Sequence, residues 1–170
     1  DVSGFIKAWR NRGLEGISTA VIVGNGATAR SLLVALSGLS VREVTVLARV
    51  PSRAASLCEL GISLGIDITA QPMDASFRDA DLLASTVPAS ATEKWAGAWA
   101  ERAEVLFDAV YDPWPTPLAK AAAPGQLVIT GLELLAGQAV DQFRLLTGCE
   151  LSFQEALSAA TAELEARRRS

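Results

Sequence analysis

A doubly wound, mainly parallel α/β sheet of six strands, with helices on both faces and a helical extension at the C-terminus, is the fold this sequence predicts. Two observations carry the prediction. Apolar runs of strand length alternate with helical patterns along the whole chain, which is the rhythm of a parallel sheet with crossover helices. The first of these runs leads straight into a Gly-x-Gly-x-x-Ala turn, Gly24-Asn25-Gly26-Ala27-Thr28-Ala29, which opens a helix. A length of 170 residues suits one such Rossmann-like unit with a core of its own.

The elements follow in order. Residues 4–12 read as a leading helix that a Rossmann-like unit does not need, so its apolar face is expected to pack against something else. Residues 19–23 are almost continuously apolar, as suits a strand buried on both faces. A helix over about 27–37 turns Leu32, Leu33 and Leu36 toward the core. Residues 44–47 form the second strand, and Pro51 sits at the first position of the next helix, where its missing N–H costs nothing. The third strand is short, at 66–68. The fourth, 82–85, is introduced by the acidic stretch Asp79 to Asp81, and 105–109 and 127–129 are the fifth and sixth. A helix over about 132–147 ends at Gly148, a left-handed cap. The last helix, about 152–167, aligns Phe153, Leu157, Ala160 and Leu164 and starts with a capping box of Ser152 and Glu155. Trp95 and Trp99, one helical turn apart, read as packing residues. No repeat or long linker breaks the order.

Half the residues are apolar and a fifth are charged, an ordinary globular composition. The net charge is −4 and there is no basic stripe, so nucleic acid is not an expected partner. Arg167-Arg168-Arg169 reads as a solvated helix end suited to the helix dipole. No apolar run reaches the roughly 18 residues of a membrane span, so no membrane partner is expected. Cys58 and Cys149 show neither CxxC nor metal spacing and read as small apolar residues; no metal site is expected. Two thiols without a visible secretory leader make a reducing, cytoplasmic setting the expectation. The chain contains no histidine, so acid/base work falls to carboxylates, Lys or Tyr. Lys94 and Lys120 lie in helical segments with polar neighbours and read as solvated.

In the glycine turn, Gly24 permits the bend and Gly26, lacking a Cβ, lets the backbone approach a pyrophosphate. Ala29 is small enough for the helix to pack near the strand. Free amides and the dipole at the helix start favour an anion, which makes residues Gly24, Asn25, Gly26, Ala27, Thr28 and Ala29 candidate dinucleotide ligands. The plain alternative is that the two glycines only allow a tight turn. An NAD site places a carboxylate at the end of the second strand for the ribose hydroxyls. Here that strand ends Leu47-Ala48-Arg49, and Arg53 follows one helical turn later. Two guanidinium groups suit a 2′-phosphate, which a carboxylate would repel, so NADP is the expected cofactor. The alternative is that Arg49 and Arg53 are ordinary exposed charges, although cations are mildly unfavourable at a helix start.

The segment Gly131-Leu132-Glu133-Leu134-Leu135-Ala136-Gly137-Gln138-Ala139, with Gln142-Phe143 and Thr147-Gly148 after it, resembles the G-L-x-M-L-x-x-Q-A…F…G signature of the shikimate dehydrogenase family. Phe107-Asp108-Ala109-Val110-Tyr111 with Thr116-Pro117-Leu118 resembles its D-x-x-Y…T-P-L segment. The stretch 23–30 resembles its G-A-G-G-A-x-R loop, 49–53 its N-R-T-x-x-R clamp, and Asp1 to Phe5 the end of its N-T-D-x-x-G motif. The resemblance implies reduction of 3-dehydroshikimate to shikimate with NADPH, in aromatic amino-acid biosynthesis. It implies that Asp1 is the acidic member of a catalytic Lys–Asp pair, that Tyr111 and Gln138 reach the substrate, and that Ser85, Val87 and Leu134 lie along the nicotinamide. The family also has an N-terminal substrate domain with the catalytic lysine. The resemblance thus implies that residues 1–170 are chiefly the dinucleotide-binding half, catalytically incomplete alone, with 1–15 and 150–170 at or near that domain. Four positions depart from the pattern: Ala27 replaces a glycine, Ala48 an asparagine, Leu134 a methionine, and Ser85-Thr86-Val87-Pro88 stands for N-A-T-P. Plainer roles stay open: a strand-end turn for Tyr111, a helix bond for Gln138, an end residue for Asp1. So do a quinate/shikimate relative and a stand-alone or regulatory dinucleotide-binding module without turnover.

Overall fold

The computed structural model describes residues 1–169. Among them, six strands form one all-parallel sheet: β1 (Thr19–Val23), β2 (Glu43–Ala48), β3 (Asp67–Pro72), β4 (Ala80–Ser85), β5 (Ala103–Asp108) and β6 (Leu127–Thr130), in the spatial order β3-β2-β1-β4-β5-β6. The apolar runs are continuous because the central strands are buried on both sides. Alternate residues feed two cores. Ile22, Val46, Leu82, Ala84 and Phe107 face one, with α1 (Val2–Asn11), α2 (Ala27–Gly38), α3 (Ala55–Ser63) and α6 (Gly131–Thr147). Val21, Val23, Leu47, Leu83 and Leu106 face the other, under Trp99 of α4 (Ala96–Ala100) and Leu118 of α5 (Pro117–Lys120).

The leading helix differs from its expectation. Its apolar face is covered within this chain, with Phe5, Ala8 and Trp9 buried. Phe5 meets Phe107 of β5 edge-on at 5.2 Å and stacks on Trp9 at 6.0 Å. Opposite it, α6 approaches so closely that a Cβ on Gly137 would lie 2.4 Å from the Gly4 carbonyl oxygen. Three polar contacts tie the pair together. Arg12 Nε and Nη2 donate to the two oxygens of buried Glu133 at 2.7 and 3.1 Å, and Lys7 Nζ meets Asp141 at 2.7 Å. Glu133 also accepts from Thr130 N at 2.9 Å in a capping box that starts α6.

Other boundaries shift for local reasons. β4 starts at Ala80, so Asp81 lies inside the strand, where its carboxylate accepts the Ser18 and Thr19 amides at 2.7 and 3.0 Å and fixes the start of β1. Pro51 opens a 3₁₀ turn, Pro51–Ala54, ahead of α3. The helices α4 and α5 are too short for a periodic apolar pattern, so the helical segments read around Trp95, Trp99 and Lys120 came without bounds. Gly148 caps α6 at φ 71°. The last helix, α7 (Phe153–Arg169), carries the expected apolar face and the Ser152–Glu155 capping box. Its basic end is not simply solvated: Arg168 Nη2 meets Asp112 Oδ1 at 2.8 Å. No helix among the described residues is long and apolar enough to cross a membrane.

Candidate functional site

The chain leaves β1 toward β2 on one side, and β4 lies on the other, so the carboxyl ends of these strands flank a crevice. A groove of about 620 Å³ occupies it. The turn after β1 contributes Gly24, Asn25 and Gly26. The end of β2 and the turn beyond it contribute Leu47, Ala48, Arg49, Val50 and Arg53. Met73 comes from beyond β3, and Thr86, Val87, Pro88, Ser90 and Ala91 from beyond β4. Gly24 adopts φ +104°, and a Cβ there would stand 2.6 Å from Thr86 Oγ1, so the turn needs glycine on both counts. Thr86 closes the junction from its side, donating from N and Oγ1 to the Val23 carbonyl at 2.9 and 2.8 Å. Gly26 is the N-cap of α2, with no side-chain cap. The first amides of that helix therefore keep their bonding capacity toward the groove. A Cβ on Gly26 would meet nothing within 4 Å, which leaves the approach open.

Arg49 and Arg53 are exposed and line the same groove, and among the described residues neither guanidinium is ion-paired. The side chain of Asn25 turns from the groove's floor to its clamp, donating from Nδ2 to the Arg53 carbonyl at 2.8 Å. An anion of the size of a nucleotide phosphate thus meets, in one groove, uncapped amides and two guanidinium groups without an ion-pair partner among the described residues.

The remaining candidates divide. Gln138 Nε2 donates to the Asp1 carboxylate, an encounter made possible by the Gly4–Gly137 approach. Asp1, Thr28 and Leu134 share a small crevice with Phe5, Leu32 and Phe107. Val87 lines the main groove; Ser85 does not, being fully buried with its Oγ unpartnered among the described residues. Ala27 is exposed, whereas Ala29 is sealed in the core beneath the turn. Tyr111 stands apart on the loop after β5, half-buried against the start of α6. That loop is held by Asp108, which is fully buried: its Oδ2 accepts from Thr116 Oγ1 at 2.7 Å and its Oδ1 from Val110 N at 3.1 Å. Burial pushes the Asp108 carboxyl up from its ordinary value, and the two hydrogen bonds oppose the shift. Lys94 lies over the Trp95 ring at 4.4 Å, and Trp95 stacks on Trp99 at 6.4 Å, as packing residues do.

Sequence reasoning missed Met73, and Thr86 as a groove wall. Thr86 was findable, because the segment after the fourth strand must flank a switch-point crevice in this strand order. Met73 carries no such signal.

Strand order, crossovers and a groove at the switch point define a Rossmann-type α/β fold. No family model matches the chain. It is 33% identical over 140 residues to a curated protein named shikimate dehydrogenase (NADP(+)) from Caldivirga maquilingensis, a match covering 81% of this chain and 52% of that protein. The crystal structure of Mycobacterium tuberculosis shikimate dehydrogenase superposes with a TM-score of 0.83 at 36% identity, over 95% of this chain and 61% of that one. Quinate dehydrogenase from Corynebacterium glutamicum, in complex with NAD, superposes with a TM-score of 0.78 at 25% identity, over 95% of this chain and 61% of that one. The chain is a homologue of the shikimate dehydrogenases and matches the C-terminal part of their chains. It spans between half and two thirds of the length of these relatives.

Proposed function

We propose that this chain binds NADP(H) in the switch-point groove and serves as the cofactor-binding part of a shikimate dehydrogenase that reduces 3-dehydroshikimate to shikimate. One observation carries the reading: Arg49 and Arg53, not ion-paired among the described residues, share a groove with the uncapped start of α2, at the strand end where an NAD site would place a carboxylate. When bound, the nicotinamide supplies the hydride. The chain's own residues hold and orient. The amides of α2 and Gly26 take the pyrophosphate, the two arginines take the 2′-phosphate, and Val87 walls the groove on the β4 side.

On the substrate side, Asp1 and Gln138 form a hydrogen-bonded pair beside the first turn of α2. In this reading Asp1 moves the proton together with a lysine of the substrate domain, Gln138 orients the Asp1 carboxylate, and Tyr111 reaches the substrate from the β5 loop. In this reading Leu134, Val87 and Ser85 lie along the nicotinamide, Ser85 as a fully buried residue at the end of β4. Residues 1–15 and 150–169 border the substrate domain; Ser170 lies outside the described residues.

The test is a fluorescence titration of the chain with NADPH and NADH, followed by an assay of the complete gene product. NADPH binding tighter than NADH, with turnover of shikimate, supports the reading. Equal affinity for both cofactors overturns the NADP assignment. The similarity to quinate dehydrogenase favours a second reading, a quinate-acting relative. Turnover of quinate in preference to shikimate would select it.

A further inference from the structure

Two segments that line the groove are fastened to each other by an uncharged side chain. Asn25 stands between Gly24 and Gly26 in the turn after β1, and its Nδ2 donates to the carbonyl of Arg53, 28 residues away, at 2.8 Å. A carbonyl only accepts, so the amide must turn its NH2 toward it and gives one of its two N–H groups to this bond. The segment it grips is a single 3₁₀ turn, Pro51–Ala54, closed by Arg53 N donating to Val50 O at 3.0 Å. So short a turn has few bonds of its own. Asn25 fixes the peptide that follows Arg53, and with it the point from which the Arg53 guanidinium departs into the groove. Arg30, in the first turn of α2, adds a second and longer brace, from Nη1 to the Ser56 carbonyl at 3.3 Å.

Resting on the NADP reading, we propose that Asn25 is a positioning residue for 2′-phosphate recognition, acting through Arg53 and setting the preference between the two nicotinamide cofactors. The sequence pattern alone puts Asn25 in the pyrophosphate turn as a direct ligand, and the two roles differ in a measurable way. A residue that touches only the pyrophosphate serves NADPH and NADH alike. A residue that places Arg53 serves only the cofactor with a 2′-phosphate.

The experiment is a fluorescence titration of four proteins with NADPH and with NADH: wild type, Asn25→Ala, Arg53→Ala and the double variant. Asn25 does not adopt a positive φ and is exposed, so alanine fits the turn. Loss of one hydrogen bond predicts that Asn25→Ala weakens NADPH about three- to tenfold. NADH affinity should move less than about twofold. Because the two residues act in series, Asn25→Ala should add nothing in the Arg53→Ala background. Equal losses for both cofactors, losses that add in the double variant, or an unchanged NADPH affinity each overturn the proposal. Those results leave the NADP reading standing as long as the wild type prefers NADPH. A wild type without that preference removes both.

Discussion

Beyond the end of β2, Arg49 and Arg53 stand where a carboxylate would exclude a 2′-phosphate, and among the described residues neither guanidinium is ion-paired. Arg49→Ala should therefore raise the Kd for NADPH by about tenfold, the low end of a charge-assisted hydrogen bond because the site is wet, with NADH little changed. Parallel titrations read the two values, and an equal loss removes the role. This pair was legible because charge at a strand end has one consequence whatever the packing around it. Asp108 was not legible as a loop anchor, since nothing in the sequence says that its carboxylate is sealed behind Thr116. Its folded pKa lies above the ordinary 3.8, so the folded state holds the proton more tightly than the unfolded chain does. The contribution of this group is fully present below the unfolded value and is lost as pH rises through the folded one. Urea unfolding of wild type and Asp108→Asn between pH 4 and 7 should show the variant gaining on the wild type as pH rises. A difference that does not move with pH would mean that the buried carboxyl titrates as it does in water.

The long elements were readable from periodicity and punctuation. β1 runs from Thr19 to Val23 as expected, because a buried parallel strand needs an unbroken apolar run; Gly148 and Ser152 mark helix ends by chemistry that acts locally. The unreadable features depend on partners distant in sequence. The apolar face of α1 had no evident destination until α6 supplied one, and the contact that brings them together is between two glycines. Gly137→Ala should force the helices apart at a cost of about 1–3 kcal/mol in urea unfolding, while cofactor affinity stays within about twofold, because no residue of α1 or α6 lines the groove. Undiminished stability would mean that α1 and α6 do not pack so closely in solution. The same substitution separates Asp1 from Gln138, so in the complete gene product turnover should fall by more than stability alone explains.

For the whole molecule, the order β3-β2-β1-β4-β5-β6 does the positioning. It sets the β1 turn between the β2 and β4 ends, and so brings Gly24, Arg53 and Thr86, far apart in the chain, around one groove. Strand runs and turn chemistry made the doubly wound parallel class predictable, and the glycine turn and the two arginines that line the groove were picked out with it, but the strand order itself was not read from the sequence. The substrate side was only partly legible, since Asp1, Gln138 and Tyr111 depend on how α1, α6 and the β5 loop pack. The most direct measurement is isothermal calorimetry of the chain with NADPH and, separately, NADH. One saturable site, tighter for NADPH, is the result expected, with the protein stabilised by about 2.7 kcal/mol at a hundredfold excess over Kd. The absence of binding heat and of any thermal stabilisation at millimolar NADPH would contradict it.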